Sequence, residues 1–303
     1  MTNVLRWHRP LMVFTAAMVV LAVIAGIGVF TDPRVLTGAP IWLKPFKFAV
    51  SFVAYAATLA WMLSLLPRRS RVAELAITVI LATSVAEIVV IVTQVVRGTT
   101  SHYNESTPLN SALFQVMGTS ILILFIAHFV LGIVLARGRL ADRVSAHAVG
   151  WGLGLSLVGM LAAVPMVLPG QAPPGVDGVS GAHSVGVADG GAGLPLVGWS
   201  TTGGDLRIGH FVGLHALQAL PLLALLLGTR LDQATRIRLL LVGGFAYGIL
   251  IVLLTWQALR GQPLLRPDAL TLTAWALLAA CAAAATGAVL ALRRRRPELE
   301  LAA

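Results

Sequence analysis

The chain has 303 residues, of which 57% are hydrophobic and only 11% are charged, and its mean hydropathy is +0.87. Soluble domains carry about 25% charged residues, so this composition excludes an ordinary soluble protein. It also excludes a disordered chain, because too many side chains are apolar. The single cysteine, Cys281, excludes a disulfide framework and a cysteine-based metal site. The net charge of +10 is typical of a membrane protein whose basic residues set its topology, and we expect no nucleic-acid partner.

Eight stretches are long and apolar enough to cross a bilayer, which requires about 20 residues each. They cover about residues 10–30, 46–66, 72–96, 111–136, 147–169, 208–228, 236–259 and 268–292. The sequence therefore predicts an all-α fold, an integral membrane bundle of eight transmembrane helices that forms one membrane domain. The first stretch is longer than a signal-peptide core and no A-x-A site follows it, so we expect it to remain in the mature protein.

The distribution of Lys and Arg predicts the orientation. With the N-terminus in the cytoplasm, 15 of the 22 basic residues fall on the cytoplasmic side and 7 fall outside. The positive-inside rule therefore places both termini in the cytoplasm, with Arg293 to Arg296 as an anchor. The connection over residues 170–207 then lies outside. Its high Gly and Pro content predicts a mobile loop.

An ungapped shift of 163 residues lays residues 43–98 on residues 206–261. The polar matches are Lys44 with Arg207, Lys47 with His210, Gln94 with Gln257, and Arg97 with Arg260. The sequence thus predicts two repeats, about residues 1–143 and 144–303, with four helices each. Because an even number of spans returns the chain to the same side, we expect parallel repeats related by a pseudo-twofold axis along the membrane normal.

Two of the stretches carry polar stripes at the same depth. At about 100° per residue, the sixth stretch places four polar side chains on one face: Arg207, His210, His215 and Gln218. In the third stretch, Glu87 and Gln94 are seven residues apart and share a face. Glu87 lies roughly 14 Å below the outer end, which matches the depth of His215. Since ionisable groups are costly inside a membrane, we expect these stripes to converge on an outward-opening cavity that ends near Pro221, where the helix is predicted to kink.

These residues form the predicted site. The candidate catalytic residues are Glu87, His210 and His215. The candidate ligand-binding residues are Lys44, Lys47, Gln94, Arg97, Arg207, Gln218, Gln257 and Arg260. The candidate metal ligands are His102, His210 and His215, with a metal ion or haem as the cofactor. The alternative for the basic residues is that they simply extend to lipid headgroups. His128 is predicted to have a hydrogen-bonded structural role, and His183 to be exposed in the outer loop.

Three strings of residues carry a resemblance. They are Trp42 to Phe48 (WLKPFKF), Arg97 to Asn104 (RGTTSHYN), and Trp199 to Phe211 (WSTTGGDLRIGHF) followed by His215. Together they resemble a group of uncharacterised bacterial multipass membrane proteins over the second to seventh stretches. The resemblance implies a bacterial plasma (inner) membrane and adds no mechanism.

Three functions remain open. The first is a membrane enzyme or redox protein with an outward-opening site, whose partners are the bilayer and a small anionic or lipid-like ligand. The second is a transporter of a small anionic solute, which the repeats favour. The third is a sensor or assembly factor with a structural polar cluster. The outer half is rich in polar residues and the inner half is poor in them, which favours a closed-bottomed site over a path through the membrane.

Overall fold

The computed structural model describes residues 7–68, 70–138, 140–168 and 177–301, with side chains as far as Arg293. Within these residues the chain is mostly helical. The helices are α1 (Arg9–Thr31), α2 (Leu43–Ser64), α3 (Arg71–Val96), α4 (Pro108–Arg137), α5 (Arg143–Leu161), α6 (Arg207–Leu214), α7 (Ala216–Leu226), α8 (Gln233–Leu259) and α9 (Ala269–Leu301). The strands are β1 (Val35–Leu36), β2 (Ala39–Pro40), β3 (Ser184–Val185) and β4 (Gly204–Asp205). A short 3₁₀ helix, Val164–Val167, follows α5.

Side-chain caps define several helix starts. Ser70 accepts a hydrogen bond from the Ala73 N–H at the start of α3, and Thr107 accepts one from the Asn110 N–H at the start of α4. Such caps satisfy N–H groups that have no partner within the helix. Arg6, Arg69 and Arg139, which contribute to the predicted cytoplasmic charge, lie outside the described residues, as do the side chains of Arg294 to Arg296.

Among the described helices, seven are long and apolar enough to cross a membrane. They are α1, α2, α3, α4, α5 with its 3₁₀ extension, α8 and α9. Helices α6 and α7 together are also long enough, but they are bent by 48° at a break, so the number is seven to eight. The break lies at His215 and not at Pro221, which is inside α7. A proline removes the hydrogen bond to the carbonyl four residues earlier, here Leu217, and so weakens the turn before it.

The helices pack mainly as sequential neighbours. Helix α1 packs on α2, α3 packs on α4, α5 packs on α6, α7 and α8, and α8 packs on α9. The largest apolar cluster lies mainly among α1 to α4, includes the fully buried Leu59, Ile77 and Leu131, and extends to α5 and α7. The fully buried side chain of His128, on α4, lies in this region. Its Nδ1 lies 2.9 Å from the Tyr55 hydroxyl and its Nε2 lies 2.8 Å from the Ser156 hydroxyl, which confirms the hydrogen-bonded role and joins α2, α4 and α5.

One end of the bundle carries a folded cap. Two of its connections contain short antiparallel pairs, β1 with β2 and β3 with β4. A bridge between Asn104 and Val179 joins the connection after α3 to the connection after α5. The connection predicted to be mobile begins with residues 170–176, which lie outside the described residues. From residue 177 onward it is packed, and Asp205 and Leu206 are completely buried. Backbone hydrogen bonds to the 97–107 connection supply the contacts that its composition did not lead us to expect.

Two glycines let α5 and α6 cross closely beneath the cap. A Cβ atom at Gly159 would collide with the backbone of Gly213, and a Cβ atom at Gly213 would collide with Gly159. Small residues of this kind allow helix backbones to approach in membrane bundles. This crossing also places His210 Nδ1 2.8 Å from the carbonyl oxygen of Gly159.

We therefore expect Gly159→Ala and Gly213→Ala each to destabilise the protein by about 1–3 kcal/mol, because backbone atoms cannot move aside as side chains do. The measurement is the thermal unfolding midpoint of the detergent-solubilised protein. Gly118→Ala on α4 is the matched control, since no heavy atom lies within 4 Å of its added Cβ. Equal midpoints for all three variants would contradict the close crossing.

Candidate functional site

Four histidines lie where the cap meets the helices. His102 belongs to the 97–107 connection, His183 immediately precedes β3, His210 lies in α6, and His215 separates α6 from α7. His102, His183 and His210 are close enough to interact electrostatically with one another, as are His210 and His215. The fold thus brings together residues that are more than 100 positions apart in the chain.

Each histidine has its Nδ1 atom within hydrogen-bonding distance of an oxygen. The partners are Ser101 Oγ for His102 (3.1 Å), Asp189 Oδ2 for His183 (2.7 Å), Gly159 O for His210 (2.8 Å) and Gln218 Oε1 for His215 (3.2 Å). Because carboxylate, carbonyl and amide oxygens only accept, His183, His210 and His215 donate from Nδ1. In the neutral ring, Nε2 then carries the lone pair that accepts a proton or attacks an electrophile.

His183 and Asp189 form the most strongly oriented pair. Asp189 also accepts hydrogen bonds from the backbone N–H groups of His183 (3.0 Å) and Ser184 (2.8 Å). Burial raises the pKa of the Asp189 carboxyl, but these hydrogen bonds outweigh burial and hold the pKa well below its ordinary value. Burial lowers the pKa of His183 more than Asp189 raises it. The pair therefore combines an ionised carboxylate with a neutral imidazole near pH 7.

The prediction that His183 is exposed is wrong. Its side chain is 23% exposed, and its ring lies 5.0 Å from that of Tyr103 in an edge-to-face arrangement. Tyr103 has a positive φ of 57°, which is unusual for a residue other than glycine. Asp189 and Tyr103 were not predicted as site residues either. Asp189 contacts His183 and Ser184 through a turn of a Gly-rich loop that has no periodic pattern, and Tyr103 meets His183 only because two connections pack together.

Three basic side chains border the histidines. Lys47 Nζ donates to the carbonyl oxygen of Val197 at 2.9 Å. Arg207 donates from Nε and Nη2 to the two carboxylate oxygens of Asp205, and from Nη2 to the carbonyl oxygen of Gly198 at 2.6 Å. Lys44 has no hydrogen bond or ion pair among the described residues. It is the basic group left free to bind an anion.

Glu87 lies deeper, on α3. Its side chain is buried, with a residue exposure of 1%, and neither its Oε1 atom nor the hydroxyl of Ser84, one turn away, has a hydrogen-bond partner in the described part of the chain. The charged group that acts on Glu87 is Lys44. His215, which we expected opposite Glu87, is instead hydrogen-bonded to Gln218. Lys44 is therefore the charged neighbour of this buried carboxyl group.

Gln94 and Arg97 organise the turn after α3. Gln94 Nε2 donates to the carbonyl oxygen of Thr100 and to Asn110 Oδ1, both at 3.1 Å. Arg97 donates to Gln94 Oε1 at 2.5 Å and to Asn110 Oδ1 at 2.7 Å. These bonds hold the 97–107 connection, which carries His102, so the structure gives both residues a positioning role.

Gln257 and Arg260 hold the next outer turn in the same way. Gln257 Nε2 donates to the carbonyl oxygen of Pro263 at 2.9 Å, and Arg260 pairs with Asp268 at the start of α9. Gln218 connects α7 to α2, because its Nε2 donates to Thr58 Oγ1 at 3.1 Å. Ligand binding by these side chains remains a prediction, but their hydrogen bonds already have structural uses.

Within the described residues, no group of three or more His, Cys, Asp or Glu side chains is placed to hold a metal ion. The predicted set of His102, His210 and His215 does not form such a group there. The reason is local, since His210 turns toward α5 while His215 turns toward Gln218 at the break.

Comparison with known proteins returned no match. No protein-family model, no curated protein and no solved structure is significantly similar to this chain. The chemistry of the site therefore has to be argued from its own geometry. That geometry places the imidazole rings of His102 and His183 within electrostatic range of the Lys44 side chain.

The buried histidines predict how stability depends on pH. Burial, with the positive neighbours Lys44, His183 and His210, holds the pKa of His102 well below the ordinary value of 6.5, and the pKa of His183 is also lowered. As the pH falls through about 6.5, the unfolded chain takes up protons that the folded chain does not, so folding becomes less favourable.

We expect the free energy of unfolding to fall by up to about 1.4 kcal/mol per pH unit for each such histidine between pH 6.5 and 5. Denaturant titrations of the solubilised protein at several pH values measure this slope. The double variant His102→Gln, His183→Gln should show a shallower slope. An unchanged slope in that variant would show that these rings are not buried in the neutral form.

Proposed function

We propose that this protein is a membrane enzyme whose active site faces outward and acts on an anionic, headgroup-bearing substrate. The observation that carries the proposal is the His183–Asp189 pair, with a distance of 2.7 Å between Nδ1 and Oδ2 and with Lys44 and Arg207 close enough to act electrostatically on His183. A carboxylate that orients a neutral imidazole beside a cation is the arrangement that general-base and nucleophilic catalysis use.

The roles follow from the atoms that remain available. Asp189 fixes the proton of His183 on Nδ1, so Nε2 accepts a proton from an attacking water or itself attacks the substrate. Lys44 binds the anionic group and stabilises the charge that develops there. In the water reaction, the proton that His183 Nε2 takes from water is returned to the oxygen of the leaving group, either directly or by way of the Nε2 lone pair of His210. Glu87, which we propose as the floor of the site beside Lys44, has the acid–base role predicted for it.

The same proposal includes the setting of the site. We propose eight spans, with α6 and α7 as one broken span, in a bacterial inner membrane with both termini in the cytoplasm. The basic residues support this orientation, since the cap lies on the side with 7 of the 22. A site at this end meets outer-leaflet lipids and solutes outside the cytoplasm.

Local geometry supports the proposed duplication of residues 1–143 in 144–303. Gly98 and Gly261, 163 positions apart, have nearly identical φ values of 73° and 71°. Gln94 and Gln257 each donate to the carbonyl oxygen six residues further on. Each also accepts at its backbone carbonyl from the N–H five residues further on. Two turns with the same hydrogen bonds, 163 residues apart, are what a duplicated four-helix unit would produce.

Transport of a small anionic solute is the second candidate, and one observation favours it. Polar contacts continue inward from His215 through Gln218 to Thr58 on α2, and one turn away Tyr55 contacts His128. If transport is the function, Tyr55→Phe should abolish uptake of the solute into proteoliposomes and leave hydrolysis unchanged.

The enzyme hypothesis predicts that His183→Ala lowers turnover by about 10²–10⁴-fold, the usual contribution of a general base. The assay is release of phosphate or fatty acid from a panel of anionic phosphomonoester, phosphodiester and acyl-ester lipids in nanodiscs. His147→Ala on α5 is the matched control, because that ring bonds the carbonyl of Arg143 in its own helix, outside the cap.

A second readout needs no substrate. Diethyl pyrocarbonate acylates neutral imidazole nitrogen, so it should modify His183, and inorganic phosphate should slow this reaction by binding to the basic side chains that border it. Mass spectrometry identifies the modified residue. The proposal fails if no ester in the panel is hydrolysed and phosphate gives no protection, or if His183→Ala retains full turnover.

Orientation is tested with cysteines in a Cys281→Ala background. Ala188 is exposed in the cap and Ala141 is exposed between α4 and α5. An impermeant maleimide should label Ala188→Cys in intact cells and should label Ala141→Cys only after the membrane is opened. The reverse pattern would overturn the orientation.

A further inference from the structure

A β-hairpin of the cap projects over the basic side chains. It comprises residues 192–201, and we call it the tongue. Its arms are held by hydrogen bonds from Thr201 N to Ala192 O (2.9 Å) and from Leu194 N to Trp199 O (2.8 Å). A bond from Gly198 N to Leu194 O (2.8 Å) closes its tip. The tongue is therefore a defined turn that can move as one unit.

The tip of the tongue is attached to the site by two backbone carbonyl groups. Val197 O accepts from Lys47 Nζ at 2.9 Å, and Gly198 O accepts from Arg207 Nη2 at 2.6 Å. These are neighbouring oxygens, so they present two partial negative charges side by side to two cations. Arg207 is also paired with the buried carboxylate of Asp205, which lies outside the tongue and keeps this ion pair when the tip of the tongue moves away.

The tip has little else to hold it. Leu196 is 75% exposed and has a φ of 65°, a conformation that is unfavourable for a side chain with a Cβ atom. Gly198 has a φ of 67°. Besides the hydrogen bonds within the hairpin, the contacts of its tip carbonyl groups to Lys47 and Arg207 attach the turn to the helices.

We propose that Lys47 and Arg207 form the subsite for a tetrahedral oxyanion, a phosphoryl group of the substrate, and that the tongue closes this subsite when no ligand is bound. The carbonyl oxygens of Val197 and Gly198 take the places of two oxyanion oxygens. A lysine and an arginine on one phosphate are favoured over the same cations on neutral carbonyl groups, because charged acceptors make the stronger hydrogen bonds. This inference rests on the proposed function. It adds that the substrate carries a phosphoryl group and that the tongue controls access to the subsite.

If the tongue gates the subsite, variants of the tongue and of the basic residues should change the phosphate affinity in opposite directions. A closed form that excludes the ligand lowers the apparent affinity by the fraction of molecules that are open. Gly198→Ala keeps every cation but strains the closed turn, because its φ is positive, so it should tighten phosphate binding. Replacing residues 194–197 with two glycines should tighten it further, by about tenfold if about 90% of the wild-type molecules are closed. Lys47→Gln should weaken binding.

The experiment is equilibrium dialysis of radiolabelled inorganic phosphate against the full-length protein in nanodiscs. Discs of phosphatidylcholine and of phosphatidylglycerol distinguish the source of the oxyanion, since an anionic headgroup that occupies the subsite competes with free phosphate. Binding by the wild type with equal affinity in both tongue variants would overturn the gate and leave the enzyme proposal intact. Absence of phosphate binding by every variant in phosphatidylcholine discs, where no anionic headgroup competes, would overturn both.

A second measurement covers the case in which the shortened tongue fails to fold. Leu196→Cys in the Cys281→Ala background carries an environment-sensitive fluorophore at an exposed position that is free of cations. Phosphate should change its emission, and Lys47→Gln should shift the concentration at which this occurs upward. A label that does not respond at phosphate concentrations that saturate the dialysis signal would show that the tongue stays in place.

Discussion

The ion pair between Asp205 and Arg207 is the interaction on which the cap of the molecule depends. Asp205 is completely buried in β4 and also accepts a hydrogen bond from the Ser200 N–H, so removal of either charge would leave the other without its main partner. The pair fixes the first residue of α6, directs the guanidinium toward the tongue, and sets the start of the helix that carries His210. The hydrogen bonds that the buried Asp205 carboxylate accepts therefore determine how this part of the cap is arranged.

Hydropathy predicted the helices closely because lipid imposes one simple rule on every span. The third and seventh stretches, predicted over 72–96 and 236–259, are α3 at Arg71–Val96 and α8 at Gln233–Leu259. The break at His215 was missed, since the average hydropathy of a segment carries no information about a bend. The basic groups Lys44, Lys47 and Arg207 were predicted because charges near the ends of apolar segments are conspicuous in the sequence.

The His183–Asp189 pair was missed for a different physical reason. A loop rich in glycine has no periodicity from which a face or a depth can be inferred, and its order comes from hydrogen bonds to another connection. The same limitation affects Gln94 and Arg97. Both side chains are recognisably polar in the sequence. The sequence alone does not distinguish a side chain that binds a ligand from one whose hydrogen bonds stabilise a local turn. Only the partners of each donor make that distinction.

The depth of the polar groups also bears on the choice between an enzyme and a transporter. Inward from His215 the polar contacts pass to Gln218, Thr58 and the Tyr55–His128 pair, and each side chain there is already hydrogen-bonded. A transported solute would have to break these bonds in an apolar surrounding, where an unpaired polar group is expensive. In the gating proposed for the cap, an anionic ligand replaces the two carbonyl contacts of the tongue with stronger hydrogen bonds. This difference between the cap and the core favours the proposed chemistry at the cap over passage across the membrane.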